Sequence, residues 1–221
     1  NLKASTYDLK KSMSLPSIIN TLIEGNNYNP NTIKLTFKEG KRVTDYITLI
    51  ADNTNNTKEE VEKVFADKTY LNELITKYWF LTDEILNNNI YYPLEGYLFP
   101  DTYYFNDKDV TVSKIIETML DEMENKLNDY KNKINNSQMT VHEILTLASI
   151  VEKEGKTRDF KDISSVFHNR LNISMKLQSC ATSYYGLGLE FTDVGIATAE
   201  MMNSKNPYNT YIIPALPVGP I

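Results

Sequence analysis

The stretch TVHEILTLASIVEKEG, residues 140–155, predicts the helix on which the second half of the fold is built. It opens with a capping box, because Glu143 follows Thr140 by three residues and each side chain can bond the other's backbone N–H group. Gly155 is typical of the residue that ends a helix. Both ends of this helix are therefore specified by local sequence.

One face of this predicted helix is apolar except for an acid. At about 100° per residue, the residues on this face are Ile144, Leu147, Ala148, Val151 and Glu152. The polar face carries His142, Thr146, Ser149, Lys153 and Glu154. This pattern predicts that the first set faces the core and the second faces solvent, which leaves the Glu152 carboxylate on the core side.

Two interpretations of Glu152 follow from this position. A carboxyl group surrounded by apolar side chains at the C-terminal end of a helix resists ionisation, which is what a general acid requires. The alternative is a buried structural glutamate that pairs with an arginine or a backbone group. The helix by itself leaves both interpretations open.

Composition excludes several classes of function. The 221 residues carry a net charge of -6 and have a pI near 5.1, so the chain lacks the basic surface that nucleic acid requires. Cys180 is the only cysteine, which excludes an intrachain disulfide, and with two histidines a Cys/His zinc site lacks ligands. We therefore predict no metal, no cofactor and no nucleic-acid partner.

The first part of the chain predicts a small α+β region. Residues 32–37 alternate apolar and polar side chains, which is the period of a half-buried strand, and Glu39-Gly40 predicts a turn after it. Helical spacing and caps predict helices at residues 15–23, 43–51, 57 onward, 70–78 and 82–88. No polar cluster converges here, which favours a binding or spacing role over catalysis.

The composition of the chain changes near residue 90, where aromatic residues become frequent. Residues 91–105 pack seven aromatic side chains around two prolines and two acids, which predicts an ordered aromatic loop. Such a loop is typical of a saccharide groove, because sugar rings pack against aromatic faces, but it could equally cover the core. A long amphipathic helix is predicted to follow at residues 110–134.

Several blocks of sequence resemble one known family. They are EGYLFPDT (95–102), LASIVEKE (147–154), VFHNRL (166–171), MKLQS (175–179), YG (185–186), PYNTY (207–211) and LPVGPI (216–221). In this order they are similar to the YceG-like family of endolytic murein transglycosylases. The resemblance implies an α+β fold with a LysM-like region at residues 1–85 and a mixed, helix-rich catalytic domain at residues 86–221.

The resemblance also implies a cellular setting. Members of the family are anchored on the outer face of the bacterial cytoplasmic membrane by an N-terminal helix, and they cut nascent peptidoglycan glycan strands internally. No stretch of this chain approaches the roughly 20 apolar residues that cross a bilayer. We expect a soluble portion that is truncated at both ends, with glycan strands as its substrate and peptidoglycan synthases as neighbours.

The family's catalytic glutamate carries over to Glu152. The family reaction needs one carboxyl group, which first protonates the leaving oxygen and then takes the proton of the C6 hydroxyl of N-acetylmuramic acid as a 1,6-anhydro ring closes. A hydrolase would instead use two carboxylates. Glu95 is the candidate for a second acid, because it lies beside Gly96, where a backbone can approach a ligand closely.

Further residues in the matching blocks are candidates for binding sugar. Gln178, Tyr208 and Asn209 are predicted to hold acetamido and hydroxyl groups, and Tyr185 to offer a ring face or a hydroxyl to developing charge. In the LysM-like region, Tyr28 and Tyr46 are candidates for glycan contact, although either could be packed.

The chain departs from the family at Cys180. Many members carry an aspartate where this chain has Cys180. Because the predicted chemistry needs Glu152 alone, we expect activity to persist, with Cys180 as a small packed residue. Two alternatives remain open, namely a wall-binding scaffold that has lost catalysis and a muramidase that hydrolyses the bond.

Overall fold

The computed structural model describes residues 7, 9–10, 12–25, 29–189 and 198–221. Within these ranges the helices are α1 (Leu15–Glu24), α2 (Val43–Asn53), α3 (Lys58–Ala66), α4 (Lys68–Lys77), α5 (Val112–Asn128), α6 (Lys131–Asn135), α7 (Val141–Glu154), α8 (Phe160–Asn172), α9 (Cys180–Gly186) and α10 (Ala199–Asn203). The strands are β1 (Ile33–Thr36) and β2 (Thr102–Phe105), and short 3-10 turns lie at Asp83–Leu86 and Thr157–Asp159. The predicted α+β class is confirmed, whereas the LysM-like character of the first region is not.

The sheet joins parts of the chain that the sequence keeps apart. Strands β1 and β2 are antiparallel, with Ile33 opposite Phe105 and Thr36 opposite Thr102. The strand predicted at residues 32–37 is therefore confirmed, but the sequence missed β2, which lies within the predicted aromatic loop. β2 is a four-residue strand in which Tyr103 and Phe105 point inward. The prolines that precede β2 argue against a strand, so the alternation was not recognised from the sequence.

Two hydrophobic clusters form the core, and α7 lies between them. The first cluster unites β1, α2–α5 and the aromatic segment, and Val141 and Leu145 of α7 pack against it. The second contains Leu147 and Ile150 of α7 together with residues of α8, α9 and the segment that ends at Ile221. Both the β1–β2 sheet and the first cluster contain residues from before and after residue 85. The predicted division of the chain into two regions at residue 85 therefore stays a prediction.

Several local predictions are confirmed and one is wrong. Helix α1 begins after Ser14 and ends at Gly25, which has the left-handed φ of 75°. The helix predicted at residues 110–134 is instead interrupted between α5 and α6, where Tyr130 donates to the Leu127 carbonyl in a tight turn. Asn128 precedes the break, in agreement with the competition of such side chains with helical backbone bonds.

Tyr46 is a packed residue. Its side chain is 6% exposed, its ring packs edge-on against Phe37 with centroids 5.0 Å apart, and its hydroxyl donates to the Lys38 carbonyl at 2.9 Å. The suggestion that Tyr46 is an exposed glycan contact is therefore wrong. Tyr28 lies outside the described residues.

Helix α7 buries the face that its sequence assigns to solvent. His142, Thr146 and Ser149 are at most 9% exposed, whereas Glu152 is exposed. The capping box at Thr140 and the helix end at Glu154 are as predicted. The face that groups Glu152 with apolar residues is divided, because Leu147 and Val151 are buried in the second cluster whereas Ala148 and Glu152 are exposed. The prediction that the Glu152 carboxylate lies on the core side is therefore wrong.

Hydrogen bonds from distant segments explain this orientation. The Val218 carbonyl can only accept, so His142 Nε2 donates to it at 2.9 Å, and Nδ1 forms a hydrogen bond with the Tyr97 hydroxyl at 2.7 Å. The Ser149 hydroxyl accepts the Ile221 N–H at 3.0 Å and donates to the Thr146 carbonyl. Burial of the His142 and Ser149 side chains is thus compensated by hydrogen bonds to segments about 45 to 76 residues away in sequence.

No helix among the described residues has the length and apolar character needed to cross a membrane.

The capping box predicts a measurable contribution to stability. Thr140 Oγ1 accepts the Glu143 N–H at 3.2 Å, so we expect Thr140→Ala to lower the free energy of unfolding by about 1 kcal/mol, or about 2–4 °C in Tm. Urea unfolding measures the change. Thr140→Ser keeps the hydroxyl and should lie within a few tenths of a kcal/mol of the wild type. An equal loss in both variants would mean that the cap does not stabilise α7.

Candidate active site

Glu152 lies in the last turn of α7, where its side chain is exposed and borders two cavities. Within the part of the chain that the structure describes, no group forms a hydrogen bond or ion pair with this carboxylate. The interpretation of Glu152 as a buried glutamate tied to an arginine or a backbone group is therefore wrong. The carboxylate is accessible to a ligand from outside.

The larger of the two cavities that Glu152 borders lies between α7 and α8. It has a volume of about 640 Å³. Most of the side chains that line it are apolar, with polar groups at the rim: Ser137, Met139, Ile144, Leu147, Ala148, Val151, Glu152, Phe160, Lys161, Ser164 and His168. This composition is typical of a ligand site, in which an apolar surface carries a few placed polar groups.

A neighbouring cavity of about 720 Å³ extends the cavity between α7 and α8. The two share Ser137, Met139 and His168, and the second reaches Glu143 near the start of α7. Glu143 and Glu152 are nine residues apart, which corresponds to about 13 Å along a helix. The combined groove is therefore extended along α7, as a site for a linear polymer has to be.

A third, smaller cavity brings the two predicted acids together. It has a volume of about 100 Å³, and Glu95 and Glu152 both line it. Lys153 and the turn before α2 complete one side, and Tyr46 lies on another. The sequence separates the two glutamates by 57 residues, and only the fold brings them to one cavity.

The turn before α2 contacts the end of α7. Gly40 has the left-handed φ of 66°, and a Cβ atom at Gly40 would lie 3.7 Å from Glu152 Oε1. Lys153 Nζ donates to the Gly40 carbonyl at 2.8 Å. The turn predicted at Glu39-Gly40 is present, but its role was not predictable, because nothing local connects that turn to a helix more than 100 residues later.

Glu95 is buried and held by hydrogen bonds. Its carboxylate is 4% exposed and accepts the Val43 N–H at 3.0 and 3.2 Å and the Tyr185 hydroxyl proton at 3.1 Å. Burial raises the pKa of Glu95 to about 7, against the opposing effects of these two donors and of the Arg42 and Lys153 charges. The buried environment predicted for the Glu152 carboxylate is thus found around Glu95.

Gly96 permits close packing within the protein. Its φ is 78°, and a Cβ atom there would lie 2.6 Å from Pro220 Cβ. The group that approaches this glycine closely is Pro220, and the approach of a ligand here stays a prediction. This contact fixes the Glu95 loop against the segment that also holds α7.

Tyr185 and Tyr208 form a buried aromatic cluster with Tyr91. Their ring centroids are 4.7 Å apart, and that of Tyr91 lies 4.8 Å from Tyr208. Arg42 lies over the Tyr185 ring at 5.1 Å, and the Tyr208 hydroxyl accepts the Tyr91 N–H at 3.2 Å. Burial raises the pKa of Tyr208 to about 12. Sugar contacts by Tyr185 and Tyr208 stay predictions, and in this geometry Tyr91, at 45% exposure, presents the accessible ring.

Asn209 is fully buried and uses its whole amide group. Nδ2 donates to the Met202 and Ser204 carbonyls at 3.0 and 2.8 Å, and Oδ1 accepts from Ser183 Oγ and the Tyr211 N–H. These bonds join α9 to the segment after α10. The geometry therefore accounts for Asn209 as a structural residue, and its contact with substrate stays a prediction.

Gln178 lies on a different side of α7. Its side chain is exposed and lines a cavity of about 360 Å³ that also includes Glu154 and Arg170. Its backbone has a left-handed φ of 56°, and its N–H donates to the Thr210 carbonyl. Gln178 does not line either cavity that Glu152 borders, so its predicted role in binding sugar gains no support from the geometry.

Cys180 is half-buried at the start of α9. Its Sγ atom lies 3.1 Å from the Tyr211 hydroxyl, and it lines neither cavity at Glu152. This agrees with the prediction of a small packed residue.

Comparison with known proteins defines the class to which this fold and site belong. The whole chain, residues 1–221, matches the model of the YceG-like family. The chain is a member of the YceG-like family, as the sequence blocks indicated.

Three relatives support this assignment. The chain is 36% identical over 221 residues to the endolytic murein transglycosylase of Bacillus subtilis (strain 168), covering 99% of this chain and 60% of that protein. It is 35% identical over 234 residues to the endolytic murein transglycosylase of Streptococcus pneumoniae serotype 2, covering 100% of this chain and 42% of that protein. A solved structure of a protein described as yceG-like, from Listeria monocytogenes, matches with a TM-score of 0.79 and 35% identity, covering 100% of this chain and 71% of the other.

The pKa of Glu95 predicts how stability depends on pH. An unperturbed glutamate loses its proton near 4.5, whereas folded Glu95 keeps it to about 7. Between these values the folded state binds more protons, so stability falls as pH rises, by on the order of 3 kcal/mol over the whole interval. We expect Glu95→Gln to remove this fall, which urea unfolding between pH 4 and 8 measures.

The control for this prediction is Glu73→Gln, which removes the same charge from an exposed position on α4. It should preserve the wild-type slope. A wild-type slope that persists in Glu95→Gln would mean that another group causes it.

Proposed function

We propose that this chain is the glycan-cleaving part of an endolytic murein transglycosylase. The observation that carries the proposal is the position of Glu152, an exposed and unbonded carboxylate, within the described residues, at the border of an extended groove. Both curated relatives bear this enzyme name, and the chain spans about 60% and 42% of their lengths. The substrate proposed is the β-1,4 bond between N-acetylmuramic acid and N-acetylglucosamine in peptidoglycan.

The shape of the groove supports binding of a linear strand. A glycan needs extended binding surface beside the bond that breaks, and the cavities along α7 continue from Glu152 past His168 toward the start of the helix. The apolar surface formed by Ile144, Leu147 and Phe160 suits the methyl groups of acetamido and lactyl substituents. Lys161 and His168 at the rim can meet the polar groups of the strand.

In the proposed reaction Glu152 acts first as an acid and then as a base. Its carboxyl proton passes to the glycosidic oxygen as the bond from C1 of N-acetylmuramic acid breaks, and N-acetylglucosamine leaves with a free 4-hydroxyl. The carboxylate then removes the proton of the C6 hydroxyl while O6 bonds to C1, which closes the 1,6-anhydro ring. The proton balance closes with Glu152 back in its acid form.

A muramidase is the second candidate, and one observation favours it. Glu95 shares the small cavity with Glu152, and hydrolysis of a glycosidic bond uses a pair of carboxyl groups. Against it, Glu95 is buried and already accepts bonds from Val43 and Tyr185. A non-catalytic scaffold is the third candidate, which rests on Cys180 alone, a residue outside the cavities at Glu152.

We also propose the setting that the family implies. The natural protein would be held at the outer face of the cytoplasmic membrane by an N-terminal helix outside this chain. Its substrate would then be newly made glycan, and peptidoglycan synthases would work close to it.

Substitution of Glu152 tests the proposed chemistry. We expect Glu152→Gln in the full-length natural protein to lower the rate of 1,6-anhydro product formation by about a hundredfold to ten-thousandfold, because the amide can neither give nor take the proton. Strand binding should be retained. Mass spectrometry of digested glycan strands measures both the rate and the type of end.

The matched control is Glu154→Gln, which neutralises an exposed acid two residues away on another side of α7 and keeps an acceptor for Ser179. It should keep wild-type product formation. Reducing ends in place of anhydro ends would identify a muramidase, and strand binding without any product from the wild type would identify a scaffold.

A further inference from the structure

Glu95 joins three segments that are far apart in sequence. It lies in the loop before β2, and its carboxylate bonds the first backbone N–H of α2 and the hydroxyl of Tyr185 on α9. Val43 is 52 residues before Glu95 and Tyr185 is 90 residues after it. At 4% exposure, Glu95 makes these bonds out of contact with bulk solvent, where hydrogen bonds to a carboxyl group are strong.

One of these segments forms a wall beside Glu152. The turn at residues 40–43 runs from Gly40, whose Cβ position would lie 3.7 Å from Glu152 Oε1, to Val43. Lys153 of α7 holds the Gly40 end of the turn through its carbonyl, and Glu95 holds the Val43 end. The distance between this wall and the Glu152 carboxylate therefore depends on Glu95.

We propose that Glu95 is a positioning residue for the reaction at Glu152, because it fixes the turn at residues 40–43 beside the cavity that the two glutamates share and is itself held by the Tyr185 hydroxyl. This inference rests on the proposed function and goes beyond it. Glu95 does not touch the substrate, and it neither gives nor takes the proton that Glu152 moves. Its contribution is to hold the surroundings of the catalytic carboxylate.

Other charged and titratable groups face Glu95 from every neighbouring element. They are Lys41, Arg42 and Tyr46 at the start of α2, Tyr92 in its own loop, Glu152 and Lys153 on α7, Tyr185 on α9, and Tyr208. Arg42 and Lys153 favour the ionised form of Glu95, and burial disfavours it. A change in the charge of Glu95 near pH 7 is therefore felt throughout the cavity.

The test compares Glu95→Gln with Glu95→Ala in the full-length natural protein. Glutamine can accept the Val43 N–H and bond Tyr185, so we expect kcat within about threefold of the wild type. Alanine leaves both donors without an acceptor, and we expect kcat to fall about a hundredfold with KM changed less than about threefold. If the wild-type kcat changes near pH 7 because Glu95 titrates there, the kcat of Glu95→Gln should not show that change.

Two further variants separate positioning from general stability. Tyr185→Phe removes one bond of the network, and its kcat should fall by less than that of Glu95→Ala. Tyr70→Phe is the matched control, because the Tyr70 hydroxyl donates to the Ser113 carbonyl outside this network, and its kcat should equal that of the wild type. A loss in Glu95→Gln as complete as in Glu152→Gln would overturn the inference and make Glu95 a catalytic residue.

A second measurement does not depend on enzyme activity. Hydrogen–deuterium exchange at residues 39–45 and 150–154 should be about tenfold faster in Glu95→Ala than in the wild type and unchanged in Glu95→Gln. Unchanged exchange in Glu95→Ala would overturn the inference, even if the wild type makes anhydro products. Conversely, a wild type that makes no such products defeats the proposed function, while the exchange data still decide whether Glu95 holds the turn.

Discussion

The orientation of α7 depends on hydrogen bonds to polar side chains that the fold buries. His142 and Ser149 lie on the inner face of this helix, and each finds a partner in a distant segment: Tyr97 and Val218 for the imidazole, and Ile221 for the hydroxyl. Without these partners, burial of the two groups would cost several kcal/mol. With them, the helix buries polar as well as apolar side chains and leaves Ala148 and Glu152 exposed near its end.

Two glutamates therefore end in opposite environments. Glu152 is exposed and borders a large apolar groove, whereas Glu95 is buried, and its pKa is raised to about 7. A perturbed pKa is often taken as the mark of a catalytic acid. Here the hydrogen bonds of Glu95 to Val43 and Tyr185 explain it as a structural tie, and accessibility identifies Glu152 as the group that can meet a substrate.

The residues of the family blocks likewise differ in whether they are buried within the protein or lie beside the cavities. Tyr208 and Asn209 are enclosed and bonded within the protein, so they shape the fold around the site. Gly40 and Lys153 attracted no functional interpretation from the sequence, yet they lie beside the Glu152 carboxylate. Membership of the YceG-like family accounts for the blocks without saying which residue in each block reaches the groove.

The sequence by itself determined the local features of this protein: the capped helix α7, the strand β1, the turn at Gly40 and the identity of the two acids. These depend on neighbouring residues, so a local pattern records them. Only the tertiary structure decided which face of α7 is buried, which acid is exposed, and that β1 pairs with a strand 66 residues later. Each of these depends on groups far away in the chain, such as the Val218 carbonyl and the Ile221 N–H that bond the buried side chains of His142 and Ser149, and a local pattern does not record such groups.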